Sequence, residues 1–150
     1  MELNKYIDHT NLKNTATLKD IEKLCNEAIE YNFASVCVFP YYVPLASKLL
    51  KNTNVDVCTV VGFPSGISTK ETKVFEAINA VENGADEIDM VINISALKNK
   101  DYNYIKEEIE EIRDSIDGKV LKVIIETCLL TDKEIVKMTE ICNDTFVNFI

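Results

Sequence analysis

Three consecutive stretches decide the fold: Glu87-Ile-Asp-Met-Val-Ile-Asn93, then a polar stretch carrying Ile105, Ile109, Ile112 and Ile116, then Leu121-Lys-Val-Ile-Ile-Glu-Thr127. The outer two are short, rich in β-branched residues and nearly continuous in apolar character, as strands covered on both faces are. The isoleucines between them recur at three- and four-residue intervals and line one stripe of a helix. Two buried strands joined by an amphipathic helix make a βαβ unit, whose crossover runs the strands parallel.

The same alternation extends in both directions. Strands are expected at 6–9, 34–39, 56–62, 87–93, 120–127 and 146–150. Helical stripes fall at Leu18, Ile21, Leu24, Cys25, Ala28 and Ile29, and at Ile135, Met138, Ile141 and Cys142. Ser68 with Glu71 and Thr131 with Glu134 have the spacing of a capping box, and Thr17 with Asp20 is a weaker form of it. No linker or low-complexity tract interrupts residues 1–150, so one domain is expected. Parallel strands covered by helices leave a doubly wound sheet or a (β/α)8 barrel, and spacing alone does not choose between them. A whole barrel takes about 250 residues and eight strands. If the fold is a barrel, it is an incomplete parallel (β/α)8 barrel of about six strands that lacks the last two β/α units.

Composition narrows the partners. A net charge of −9, with lysines scattered among carboxylates, opposes nucleic acid and anionic membrane surfaces. A phosphorylated small molecule would be held by local lysines or by backbone amides at a helix start. No basic leader precedes an apolar segment and no apolar run reaches membrane-spanning length, so a soluble, cytoplasmic protein is expected. Five cysteines, with no C-x-x-C pair, suit reduced thiols. With His9 as the only histidine, no metal and no cofactor is expected.

Two residues look out of place. Period-two alternation puts Asp89 on a face with Val91 and Asn93, and Lys122 on a face with Ile124 and Glu126. Isolated buried charges cost several kcal/mol, so each needs a partner, a shifted pKa or access to water at a strand end. On neighbouring strands about 4.8 Å apart, Asp89 and Lys122 can pair, which is one way to set proton affinities for transfer near neutral pH. Asp8, in Tyr6-Ile-Asp-His-Thr10, reads either as a cap or strand terminus or as a site residue. Cys37, in Ser35-Val-Cys-Val-Phe39, reads as packing or as a pocket thiol. Gly62-Phe-Pro-Ser-Gly66 is a tight connection or a backbone lip at the strand ends.

These blocks resemble the class I deoxyribose-phosphate aldolases. The resemblance rests on Ile7-Asp-His-Thr10, Ala34-Ser-Val-Cys-Val38, Val55-Asp-Val-Cys-Thr-Val60 with Gly62-Phe-Pro64, Glu87 to Asn93, and Lys122-Val-Ile-Ile-Glu-Thr-Cys-Leu-Leu-Thr131. It runs through the whole chain in order. It implies a (β/α)8 barrel and reversible cleavage of 2-deoxyribose 5-phosphate to glyceraldehyde 3-phosphate and acetaldehyde through a lysine Schiff base. By position it implies that Asp89 moves protons in the site, that Lys122 belongs to the same proton network, and that Asp8 and Cys37 line the pocket. In the family the imine-forming lysine follows the sixth strand, in Lys-Thr-Ser-Thr-Gly. Here Phe146-Val-Asn-Phe-Ile150 supplies the strand and the nucleophile is expected at the next position, so little turnover is expected of residues 1–150 alone. Cys142-Asn-Asp-Thr145 stands where the family has a Gly-Ala turn. Two other functions compete: a non-catalytic partial barrel that self-associates through its open edges, and a doubly wound small-molecule binder, which would lack a Gly-x-Gly-x-x-Gly loop.

Overall fold

The computed structural model describes residues 2–150. Five parallel strands alternate with helices, and packing divides the chain into two compact units. The first comprises residues up to Val60 together with Ala80–Glu87, and the second Val61–Asn79 with Ile88–Ile150.

In the first unit, β1 (Asp8–Asn11), β2 (Ser35–Val38) and β3 (Asp56–Val61, to Val60 here) lie side by side in that order. Asp8 registers with Ser35, and Cys37 with Cys58. Between the strands run α1 (Leu18–Glu30) and α2 (Val43–Leu49). The expected stripe on α1 is buried at Ile21, Leu24, Cys25 and Ala28, whereas Leu18 and Ile29 at its margins are exposed. Thr17 and Asp20 form a full capping box, stronger than their spacing suggested.

The first strand lies two residues later than the expected 6–9. Leu3–Tyr6 coils into a 3-10 turn, and Asn4 donates through Nδ2 to the carbonyls of Tyr31 and Asn32, which holds that turn out of the ladder. A shift of two leaves every side chain on its expected face.

The second unit carries β4 (Glu87–Val91, from Ile88 here) and β5 (Val120–Ile124) as neighbours, with α3 (Lys70–Glu82, to Asn79 here), α4 (Ile94–Lys98), α5 (Tyr102–Ser115) and α6 (Asp132–Asp144). Ile105, Ile109, Ile112 and Ile116 are fully buried, together with Ile88, Met90, Leu121 and Met138. Thr131 and Glu134 form the expected capping box at the start of α6. The Ser68–Glu71 box does not form at α3. That helix begins at Lys70, and Thr69 Oγ1 accepts the Thr72 N–H at 3.4 Å.

The expected sixth strand at 146–150 is reduced to a single parallel bridge between Lys122 and Phe149. Phe146 takes a left-handed backbone (φ +56°), and the side chain of Asn148, not a main-chain carbonyl, accepts the Leu121 N–H at 2.9 Å. The main chain still pairs beside that contact, Asn148 N–H donating to the Leu121 carbonyl and Val123 N–H to the Phe149 carbonyl, each at 3.0 Å.

Candidate active site

On β5 the alternation sends Leu121, Val123 and Ile125 into the core and leaves Lys122, Ile124 and Glu126 on the more open face. Asp89 sits mid-strand on β4, between the fully buried Ile88 and Met90. The two expected charges meet: Lys122 Nζ lies 3.1 Å from Asp89 Oδ1, with the side chains 16% and 18% exposed. Oδ1 is nevertheless buried, and the contact is an ion pair in which Oδ1 itself takes no hydrogen bond.

The pair lines a cavity of about 410 Å³, bounded also by Ile124, Glu126, Thr127 and Phe149. That is large enough for a small phosphorylated sugar. Glu126 adopts a left-handed backbone (φ +57°) at its rim, a conformation costly for a residue with a side chain. Its Oε1 accepts a hydrogen bond from Cys128 Sγ at 3.1 Å, which raises the Cys128 thiol pKa by favouring the protonated form.

Asp8 and Cys37 belong to the first unit. Asp8 Oδ1 accepts the Ser35 hydroxyl at 2.8 Å, at an exposed strand start. Cys37 is buried in β2, and its Sγ lies within 4.8 Å of that of Cys58. Two thiols are too few to enclose a metal, and among the described residues neither unit by itself brings three ligand side chains together. The first unit also has a cleft of about 330 Å³ lined by His9, Asn11, Lys13, Asp20, Lys23 and Glu27. There His9 and Glu27 are joined at 2.8 Å, and two lysines offset two carboxylates.

One charged pair escaped the sequence reading. Lys73 on α3 and Glu108 on α5 are both fully buried and joined at 2.7 Å. Burial pushes the Lys73 ammonium pKa down and the Glu108 carboxyl pKa up, and the hydrogen bond between them opposes both shifts. Two signals were present in the sequence. Lys73, Ala77 and Ala80 share helical spacing, and Glu108 follows Ile105 by three residues. Lys73 is not a free amine, since its Nζ also donates to the Val91 carbonyl at 2.8 Å.

A profile described as DeoC/LacD family aldolase matches residues 3–144. The deoxyribose-phosphate aldolase of Finegoldia magna is 59% identical over 150 residues, spanning 98% of this chain and 70% of that protein. Among solved structures, an aldolase designated QR15 is 42% identical with a TM-score of 0.94 over 98% of this chain and 66% of its own. The tetrameric deoxyribose phosphate aldolase of Aeropyrum pernix is 31% identical with a TM-score of 0.90, covering 98% of this chain and 62% of its own.

Proposed function

Because the chain belongs to the DeoC/LacD aldolase family, we propose that it carries the proton-transfer half of a class I aldolase site acting reversibly on 2-deoxyribose 5-phosphate. The observation that supports this is the Asp89–Lys122 contact of 3.1 Å at the wall of the 410 Å³ cavity. In such a cleavage, an amine condenses with the sugar aldehyde and releases water. A base then takes the proton of the 3-hydroxyl as the C2–C3 electrons pass into the iminium. Glyceraldehyde 3-phosphate leaves, the enamine is protonated at carbon, and hydrolysis frees acetaldehyde and the amine.

The residues fit the proton steps. Asp89 lies at the cavity wall, and the Lys122 ammonium 3.1 Å from its Oδ1 can donate and return a proton beside it. Neither interior lysine of the second unit is assigned as the nucleophile. Lys73 is fully buried and bonded to Glu108 and the Val91 carbonyl, and Lys122 is held against Asp89. Residues 1–150 are read as the first part of a single aldolase domain, with the amine and the phosphate site assigned outside the residues placed here. The free thiols suit a reducing, cytoplasmic setting, and self-association of the kind named for the Aeropyrum pernix protein is proposed for the assembled enzyme.

The test is a chimera in which this chain replaces the matching stretch of the Finegoldia magna relative. Release of glyceraldehyde 3-phosphate from 2-deoxyribose 5-phosphate is expected, and Asp89→Asn should lower kcat by about 10²- to 10⁴-fold. A chimera that folds, by circular dichroism, yet cleaves nothing would overturn the reading. Trapping of acetaldehyde by borohydride on Lys122 would overturn its relay role.

A further inference from the structure

The clearest unassigned feature of the second unit is a buried polar node where strand β4 ends. Lys73 Nζ donates to the Val91 carbonyl at 2.8 Å, and Glu108 Oε2 accepts the Asn93 N–H at 3.1 Å. Between these two, the Ile92 N–H donates to the Ile124 carbonyl on the exit of β5 at 3.2 Å. Three successive residues are thus tied by three different elements: α3, β5 and α5. The Asn93 side chain then accepts the Ala96 N–H at 3.0 Å and starts α4. Asp89 lies two residues upstream on the same strand, and Lys122 two residues upstream of Ile124 on its neighbour.

The loop after β3 is shaped around this node. Gly62 has φ +64°, and a Cβ there would meet Lys73 Cε at 2.8 Å. Gly66 has φ +69°, and a Cβ there would fall 1.9 Å from the Ile92 carbonyl oxygen. Glu76, one turn along α3 from Lys73, accepts the Gly62 N–H at 2.8 Å. Burial of a bare ion pair rarely adds stability over an apolar pair of the same volume. What an apolar pair cannot do is satisfy a carbonyl and an N–H at the point where a strand leaves its ladder.

We infer that Lys73 and Glu108 are positioning residues for the proposed aldolase site, holding the exit of β4 so that Asp89 stays against Lys122. The inference rests on the aldolase reading for its purpose, though not for its measurement. The pair touches no substrate. It acts through the Val91–Asn93 backbone, and its loss loosens that segment before it loosens the isoleucine core of α5.

The test needs no turnover. In Lys73→Met of this chain, the amides of Ile92 and Asn93 should exchange with solvent at least about tenfold faster, while that of Met138 in α6 keeps its rate. The carboxyl carbon resonance of Asp89, read by NMR at neutral pH, should shift, because its distance to Lys122 changes. Lys73→Arg, which retains the cation and its donors, should restore part of both. A merely structural pair would instead speed exchange evenly across β4, β5, α5 and α6 and leave the Asp89 carboxyl resonance in place, and that result overturns the inference. If Lys73→Met does not fold, Glu108→Gln decides by the same two readings. That variant keeps an acceptor for Asn93 while losing the charge, and unchanged exchange with an unchanged Asp89 resonance would refute positioning. An inactive chimera with a shifted Asp89 resonance would remove the aldolase reading and keep this one. An active chimera with an unshifted resonance would do the reverse.

Discussion

Asp89 was legible as a candidate because a carboxylate in the middle of Ile88-Asp-Met-Val-Ile92 contradicts every neighbour, and a contradiction shows in a window of five residues. Lys122 stood out for the same reason. Lys73 did not, since a lysine in a helix is ordinary and its burial depends on what packs over it. Single residues also carry strain that sequence only hints at. Gly66 combines φ +69° with a carbonyl oxygen 1.9 Å from where a Cβ would stand. Gly66→Ala should therefore destabilise the protein by about 3 kcal/mol, through strain and a displaced loop, as measured by urea denaturation. A loss of only a few tenths would mean that the loop is free to move off Ile92.

Among the elements, helices were easier to place than strand ends. The stripes of α1, α5 and α6 are where periodicity puts them, because a helix needs only its own residues three and four apart to define a face. Caps were readable where a side chain reaches its own backbone. Thr131 with Glu134 fits, whereas at α3 the start shifted by one residue to Thr69. Glu134 gives α6 a pH-sensitive start. Its carboxyl pKa is held at about 2, first by the Lys98 ammonium at 2.8 Å and then by the Thr131 N–H and hydroxyl. An unfolded glutamate titrates near pH ~4.3, so the folded pKa is depressed. The stabilisation is accordingly present above that value and lost as pH falls from about 4 toward 2. Amide exchange in the first turn of α6 should rise over that window, and Glu134→Gln should abolish the dependence. A first turn equally protected at pH 2 and pH 5 would show that the cap does not depend on the charge.

At the scale of the whole molecule, packing sorts five chemically alike thiols into two classes. Cys128 is exposed, and Cys25, Cys37, Cys58 and Cys142 are buried. Burial raises the pKa values of Cys25 and Cys142 to about 11, so neither offers thiolate near neutrality even where a reagent reaches it. One equivalent of thiol should react with a disulfide reagent in the native protein, the other four only as the fold opens, so that denaturant accelerates the slow phase alone. Four fast thiols would contradict the burial.

By itself the sequence determined the α/β alternation, the parallel strands, the buried stripes and the two strand charges that meet at 3.1 Å. Each of these is a local pattern, or a conflict with a local pattern, set by residues a few positions apart. Only the tertiary structure decided that Phe146–Ile150 makes one bridge and not a strand, that Asp89 Oδ1 is left without a hydrogen bond, and that Lys73 finds Glu108. Those outcomes depend on angles and partners brought together across the chain, such as Lys73 and Glu108, 35 positions apart. Burial and hydrogen-bond direction exist only once the elements have packed.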